Sequence, residues 1–116
     1  MSVDAPKLTR LCGADELEEN EVLQVELEDI QPLAVYRLSD GYFVTDDTCT
    51  HGAASLSDGE IEDGEIECPF HSGCFDIRTG RATEHPCTIP IKTYPVTICD
   101  GDIFTDLTEG RIMDNE

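Results

Sequence analysis

Two short stretches, Cys49-Thr50-His51 and Cys68-Pro69-Phe70-His71, constrain this chain more than anything else in it. Each mixes one thiol with one imidazole. If the two pairs share a metal centre, the residues between them must fold back and set two loops side by side. Two thiolates and two neutral imidazoles suit a [2Fe–2S] centre, with one iron held by sulfur and the other by nitrogen. A Cys₂His₂ zinc site uses the same donors, but its usual spacing groups Cys with Cys and His with His. Here each pair is mixed. The pairs are so short that His51 must reach a different iron from Cys49, and His71 from Cys68.

The intervening chain carries the turn that such a return needs. Asp63-Gly64 stands between Ile61-Glu62 and Glu65-Ile66, and Asp-Gly between apolar runs is a strong hairpin signal. The same signal stands at Asp40-Gly41 and at Asp100-Gly101, while Asp58-Gly59 reads as a loop turn. Leu23, Val25 and Leu27 alternate with polar residues, as in a half-buried strand. The run from Pro32 to Leu38 reads as buried on both faces, and Tyr42 to Thr45 follows it. A first strand is expected over Leu8 to Cys12, then one solvated helical turn within Gly13 to Asn20. The polar tail from Thr108 to Glu116 is expected to fray. Many short strands punctuated by turns predict an all-β, antiparallel sandwich or barrel. Its length of 116 residues suits one domain, 1–116, with the cluster-binding part at about 46–87.

Six cysteines in a short chain can signal a disulfide framework. The N-terminus has no basic start followed by an apolar run, and no stretch resembles a membrane span. The expectation is a monomeric cytoplasmic protein in which thiols stay reduced or bind metal. With 26 acidic against 7 basic residues, the net charge is −19. That excludes nucleic acid and anionic membranes as partners and favours a protein with a basic docking face. Asp58 to Glu67 concentrates six of the carboxylates. Lacking any apolar pocket signature, they read as a solvated face that could serve in docking rather than as an acid/base pair.

The donor set also carries a redox argument. Two ferric ions, two sulfides and two thiolates cancel in charge, whereas four thiolates leave a dianion. The less negative centre accepts an electron more readily, with potentials of roughly −150 to +300 mV. His51 and His71 are expected at least partly exposed, as the electron's way out. Gly52 and Gly73 let the backbone crowd the centre, and Pro69 and Phe70 stiffen and shield the second loop. Cys74 reads as a small apolar strand residue, Cys12, Cys87 and Cys99 as ordinary buried or partly buried thiols, and His85 as a surface loop residue.

These motifs resemble the Rieske-type ferredoxins of bacterial aromatic ring-hydroxylating dioxygenase systems. Asp46 to Gly52 looks like their first cluster loop and Cys68 to Asp76 like their second. Thr79-Gly80-Arg81-Ala82 and Ile91 to Val96 follow the family pattern, and the likeness runs from about Leu8 to Phe104. The resemblance implies a Rieske-like fold with a small subdomain of two loops, and one [2Fe–2S] cluster held by Cys49, His51, Cys68 and His71. It implies a one-electron carrier, not itself an enzyme, between an NAD(P)H-dependent flavoprotein reductase and a terminal Rieske oxygenase. A proline-containing loop covers the cluster in that family, which points to Pro86. Respiratory Rieske proteins resemble the chain too, but carry an extra cysteine in each loop, where Ala54 and Phe70 stand here. They carry a sulfide-binding serine where Gly73 stands. The resemblance therefore implies a potential at the low end of the range. The small Rieske-like subunit of an NADH-dependent nitrite reductase is the alternative, though such subunits often lack the full ligand set. A zinc-bound interaction module is a third class.

Overall fold

The computed structural model describes residues 8–28, 30–50, 54–69, 73–85 and 87–112. Among these described residues eleven strands run in order: β1 (Leu8–Gly13), β2 (Glu21–Val25), β3 (Leu33–Leu38), β4 (Gly41–Asp46), β5 (Glu60–Glu62), β6 (Glu65–Glu67), β7 (Cys74–Asp76), β8 (Ala82–Glu84), β9 (Thr93–Tyr94), β10 (Thr97–Cys99) and β11 (Asp102–Asp106). They form three antiparallel sheets, ordered β1-β11-β10, β2-β3-β4-β9 and β5-β6-β7-β8. The all-β expectation holds.

The second sheet lies in the middle, and β3 shows why. Leu33 and Val35 enter one core with Leu11, Cys12 and Ile103 of the first sheet. Ala34, Tyr36 and Leu38 enter the other, with Ile66 and Phe75 of the third. Side chains alternate along a strand, so a strand between two cores has no polar face. That accounts for the unbroken apolar run from Leu33 to Tyr36. Tyr36 is the largest fully buried side chain, and its hydroxyl is satisfied. It donates to Thr45 Oγ1 at 2.8 Å, and Thr45 donates in turn to the Asp46 carbonyl at 2.7 Å. Burial pushes the Tyr36 phenol pKa up.

The hairpins follow the Asp-Gly reading. Asp63-Gly64 and Asp100-Gly101 each join paired strands, with φ of 55° and 79° in the first and 53° and 82° in the second. Two successive positive φ values give the mirror-image turn that matches strand twist. The turn before β4 differs: Leu38 pairs with Gly41, so its two loop residues are Ser39 and Asp40. Asp58-Gly59 closes a 3-10 turn at Leu56–Asp58 and joins no hairpin. The expected helical turn is a 3-10 turn at Ala14–Glu16.

The first strand carries an irregularity, and one expectation needs correction. Leu11 and Cys12 are both buried although neighbours in one strand, because a register shift between Arg10 and Cys12 turns both to the core. The tail does not fray at Thr108. Asp106 accepts from Thr108 N at 2.9 Å, and Arg111 exchanges two backbone hydrogen bonds with Thr93, at 2.8 and 2.7 Å. The chain is thereby tied to the edge of β9 through Arg111; residues 113–116 lie outside the described set.

Candidate metal centre

The two loops that carry the Cys/His pairs are built alike. In the first, Thr48 and Ser55 form an antiparallel bridge, and Cys49 N donates to the Ala54 carbonyl at 2.9 Å. In the second, Glu67 pairs with Cys74, and Cys68 N donates to the Gly73 carbonyl at 2.6 Å. Each leading cysteine thus closes a loop base onto the carbonyl five residues on. The second loop is the β6–β7 connection, and the first follows β4. His51 and His71, with the exposure expected of them, lie outside the described residues, as do Phe70 and Pro86.

Asp47 anchors the first loop. It is fully buried. Its Oδ1 accepts from Ser57 N at 2.8 Å and its Oδ2 from Gln24 Nε2 at 2.8 Å. Its backbone accepts from Leu56 N at 2.7 Å and donates to the Pro32 carbonyl at 3.1 Å. One residue therefore joins both ends of the loop to β2 and to the chain entering β3. Buried carboxylates need such partners. The segment after β8 braces the same loop from outside, where Thr50 Oγ1 donates to the Ile89 carbonyl at 2.7 Å.

Cys49 is 3% exposed and Cys68 1%. Both belong to the apolar cluster of Ala54, Leu56, Ile66, Phe75 and Ile91. Cys87, also buried, brings its Sγ to 3.7 Å from Cys49 Sγ. Burial first, then the contact with Cys49, and then the nearby Cys68 and Cys74 push the Cys87 thiol up to about 12. No cysteine is in a disulfide. Buried thiols converging at two matched loop bases are the donor chemistry that an iron–sulfur centre takes. The described residues alone do not assemble three metal-ligating side chains. Two of the four expected ligands, His51 and His71, are not among them.

Some residues stand otherwise than expected. Cys74 is on β7 but points away from buried Phe75, and it lines an acidic depression with Glu60, Glu62, Asp63, Glu65 and Glu67. Burial and then the carboxylates nearby raise its thiol pKa. Cys99 is exposed on β10, not buried. Cys12 is buried and His85 exposed, as read from the sequence. The parts played by Asp47 and Cys87 were not foreseen. Pro86 was placed over the centre by resemblance, and its neighbour Cys87 could have been followed there.

An antiparallel β fold carrying paired thiol loops is the frame of an iron–sulfur domain. The Rieske [2Fe–2S] domain model matches residues 7–95. Over 107 residues the chain is 46% identical to the ferredoxin component of the p-cumate 2,3-dioxygenase system of Pseudomonas putida, covering 91% of each. It superposes on a chain of the carbazole 1,9a-dioxygenase oxygenase–ferredoxin complex with a TM-score of 0.85 and 36% identity, covering 94% of this chain and 100% of that one. The chain belongs to the Rieske [2Fe–2S] family and, within it, to the ferredoxins of aromatic dioxygenase systems. A putative nitrite reductase small subunit also superposes, with a TM-score of 0.73 over 85% of this chain and 97% of that one. At 23% identity that likeness shows the fold alone.

Proposed function

We propose that Cys49 and Cys68 hold one iron of a [2Fe–2S] cluster and that His51 and His71 hold the other. The observation that carries this is the matched pair of loop bases, each closed by a buried cysteine of a Cys/His motif. When bound, the cluster takes up and gives back one electron. The chain's own residues do the rest. Asp47 and Thr50 fix the first loop, the hydrogen bond between Cys68 and Gly73 fixes the second, and the Ile66–Phe75 core keeps water from the sulfur side. A fixed site reorganises little on reduction, which favours fast electron transfer.

The electron comes from an NAD(P)H-dependent flavoprotein reductase and goes to the terminal oxygenase of an aromatic ring-hydroxylating system. Choice of the aromatic substrate belongs to that oxygenase. The chain acts as a monomeric single domain in the cytoplasm, with its cluster-binding part at about 46–87. Docking uses the end of the molecule where the loops meet. Ile89 is 59% exposed there and is tied to the first loop through Thr50. The acidic outer face of β5 to β8 flanks it. An apolar centre with a charged rim is the usual anatomy of a transient interface.

Reconstitution tests this reading. Purified protein, NADH, a reductase and an aromatic-ring oxygenase should give product formation that depends on this chain and saturates with it. C49S should abolish both the visible cluster absorbance and the coupling. Full turnover without the chain, or with cluster-free C49S, would overturn it.

A further inference from the structure

Cys87 is not needed to complete a two-cysteine, two-histidine ligand set, yet its thiol lies against that set. Its Sγ is 3.7 Å from Cys49 Sγ and buried. It is held there from two sides. Cys87 N donates to the Glu84 carbonyl at 3.0 Å, fixing the turn that follows β8. Gly73, at the base of the second loop, leaves the space that the thiol fills. A Cβ on residue 73 would collide with Cys87 Sγ and stand 3.0 Å from Cys87 N and 3.1 Å from Cys87 Cβ. The side chain is thus wedged against the second loop while its sulfur touches the leading cysteine of the first.

Resting on the assignment of Cys49 as an iron ligand, we infer that Cys87 is a positioning residue that donates its S–H to the Cys49 sulfur and raises the potential of the cluster. A ligating Cys49 is a thiolate and only accepts. Cys87 therefore supplies the proton of the contact, as a weak S–H donor. Reduction places additional negative charge on the iron–sulfur unit, and a donor at a ligand sulfur stabilises that charge more than the oxidised state. Burial strengthens the effect, because no water competes for the sulfur. Gly73 and Cys87 act together: a side chain at 73 would displace the thiol.

The test compares wild type, C87S and C87V as cluster-loaded proteins. Midpoint potential and the Fe–S stretching bands in resonance Raman spectra are the readouts. C87V should lower the ratio of reduced to oxidised cluster at fixed potential by about three- to tenfold. At 59 mV per decade for one electron, that is a fall of about 30–60 mV. C87S keeps a donor and should stay close to wild type. A purely packing role predicts the reverse order, since valine preserves the apolar contact and serine does not. If C87V does not load, C87A removes the donor without bulk. In wild type itself, one S–H stretching band should shift between the oxidised and reduced protein. Equal potentials and Raman bands in C87V, C87A and wild type, or no redox-sensitive S–H band, would overturn the inference. A Rieske spectrum in those same samples would leave the cluster assignment standing. Only loss of that spectrum's dependence on Cys49 would remove the assignment itself.

Discussion

At the scale of single residues, Asp47 holds the first loop in place. Its carboxylate accepts from Ser57 N and Gln24 Nε2 in full burial, and its backbone holds both ends of the first loop. D47A removes both acceptor oxygens and orphans two donors. The expected cost is about 2–3 kcal/mol of stability, with faster loss of the visible cluster absorbance on dilution or mild heating. Urea unfolding and timed absorbance check this, and wild-type values for both would contradict it. D47N keeps one acceptor and should fall between. Asp47 was visible in the sequence only as part of a family-like loop, because nothing in a linear pattern marks a carboxylate for burial. The contact between Cys87 and Cys49 was equally illegible. It spans 38 residues and depends on the missing side chain at Gly73. Cys49 and Cys68 were legible because their spacing to a histidine is local.

At the scale of elements, the Asp-Gly hairpins were readable since a two-residue turn is a local event. The bulge at Leu11 was not, because it answers to the core beneath it. Nor was the tie between Arg111 and Thr93, 18 residues apart with the β10–β11 hairpin between them. The third sheet carries an unusual cost. Glu60 faces Glu67 and Glu62 faces Glu65 across the β5–β6 hairpin. Like charges directly opposite destabilise a sheet. Their presence on the face that flanks the cluster loops fits docking to a basic partner. E62K should therefore stabilise the hairpin by about 0.2–1 kcal/mol while slowing electron exchange at low ionic strength, with the difference shrinking as salt is added. Denaturation and stopped-flow reduction by the reductase measure the two effects on one sample. A destabilised variant with an unchanged rate would contradict both halves.

At the scale of the molecule, three layers divide the work. Among the described residues, the core between the first and second sheets holds neither Cys49 nor Cys68. The core between the second and third holds Cys49, Cys68 and Cys87. A net charge of −19 favours fast, salt-sensitive encounter with any partner of opposite charge. The central claim is mixed ligation by Cys49, His51, Cys68 and His71, and one measurement addresses it directly. Purified protein, reduced with dithionite and grown with ¹⁵N-histidine, should give a rhombic EPR signal. Its nuclear hyperfine spectrum should show two histidine nitrogens on one iron, at the [2Fe–2S] stoichiometry of iron and sulfide. H51A and H71A should each abolish that spectrum. A cluster without histidine nitrogen coupling, or zinc with no sulfide, would contradict the account.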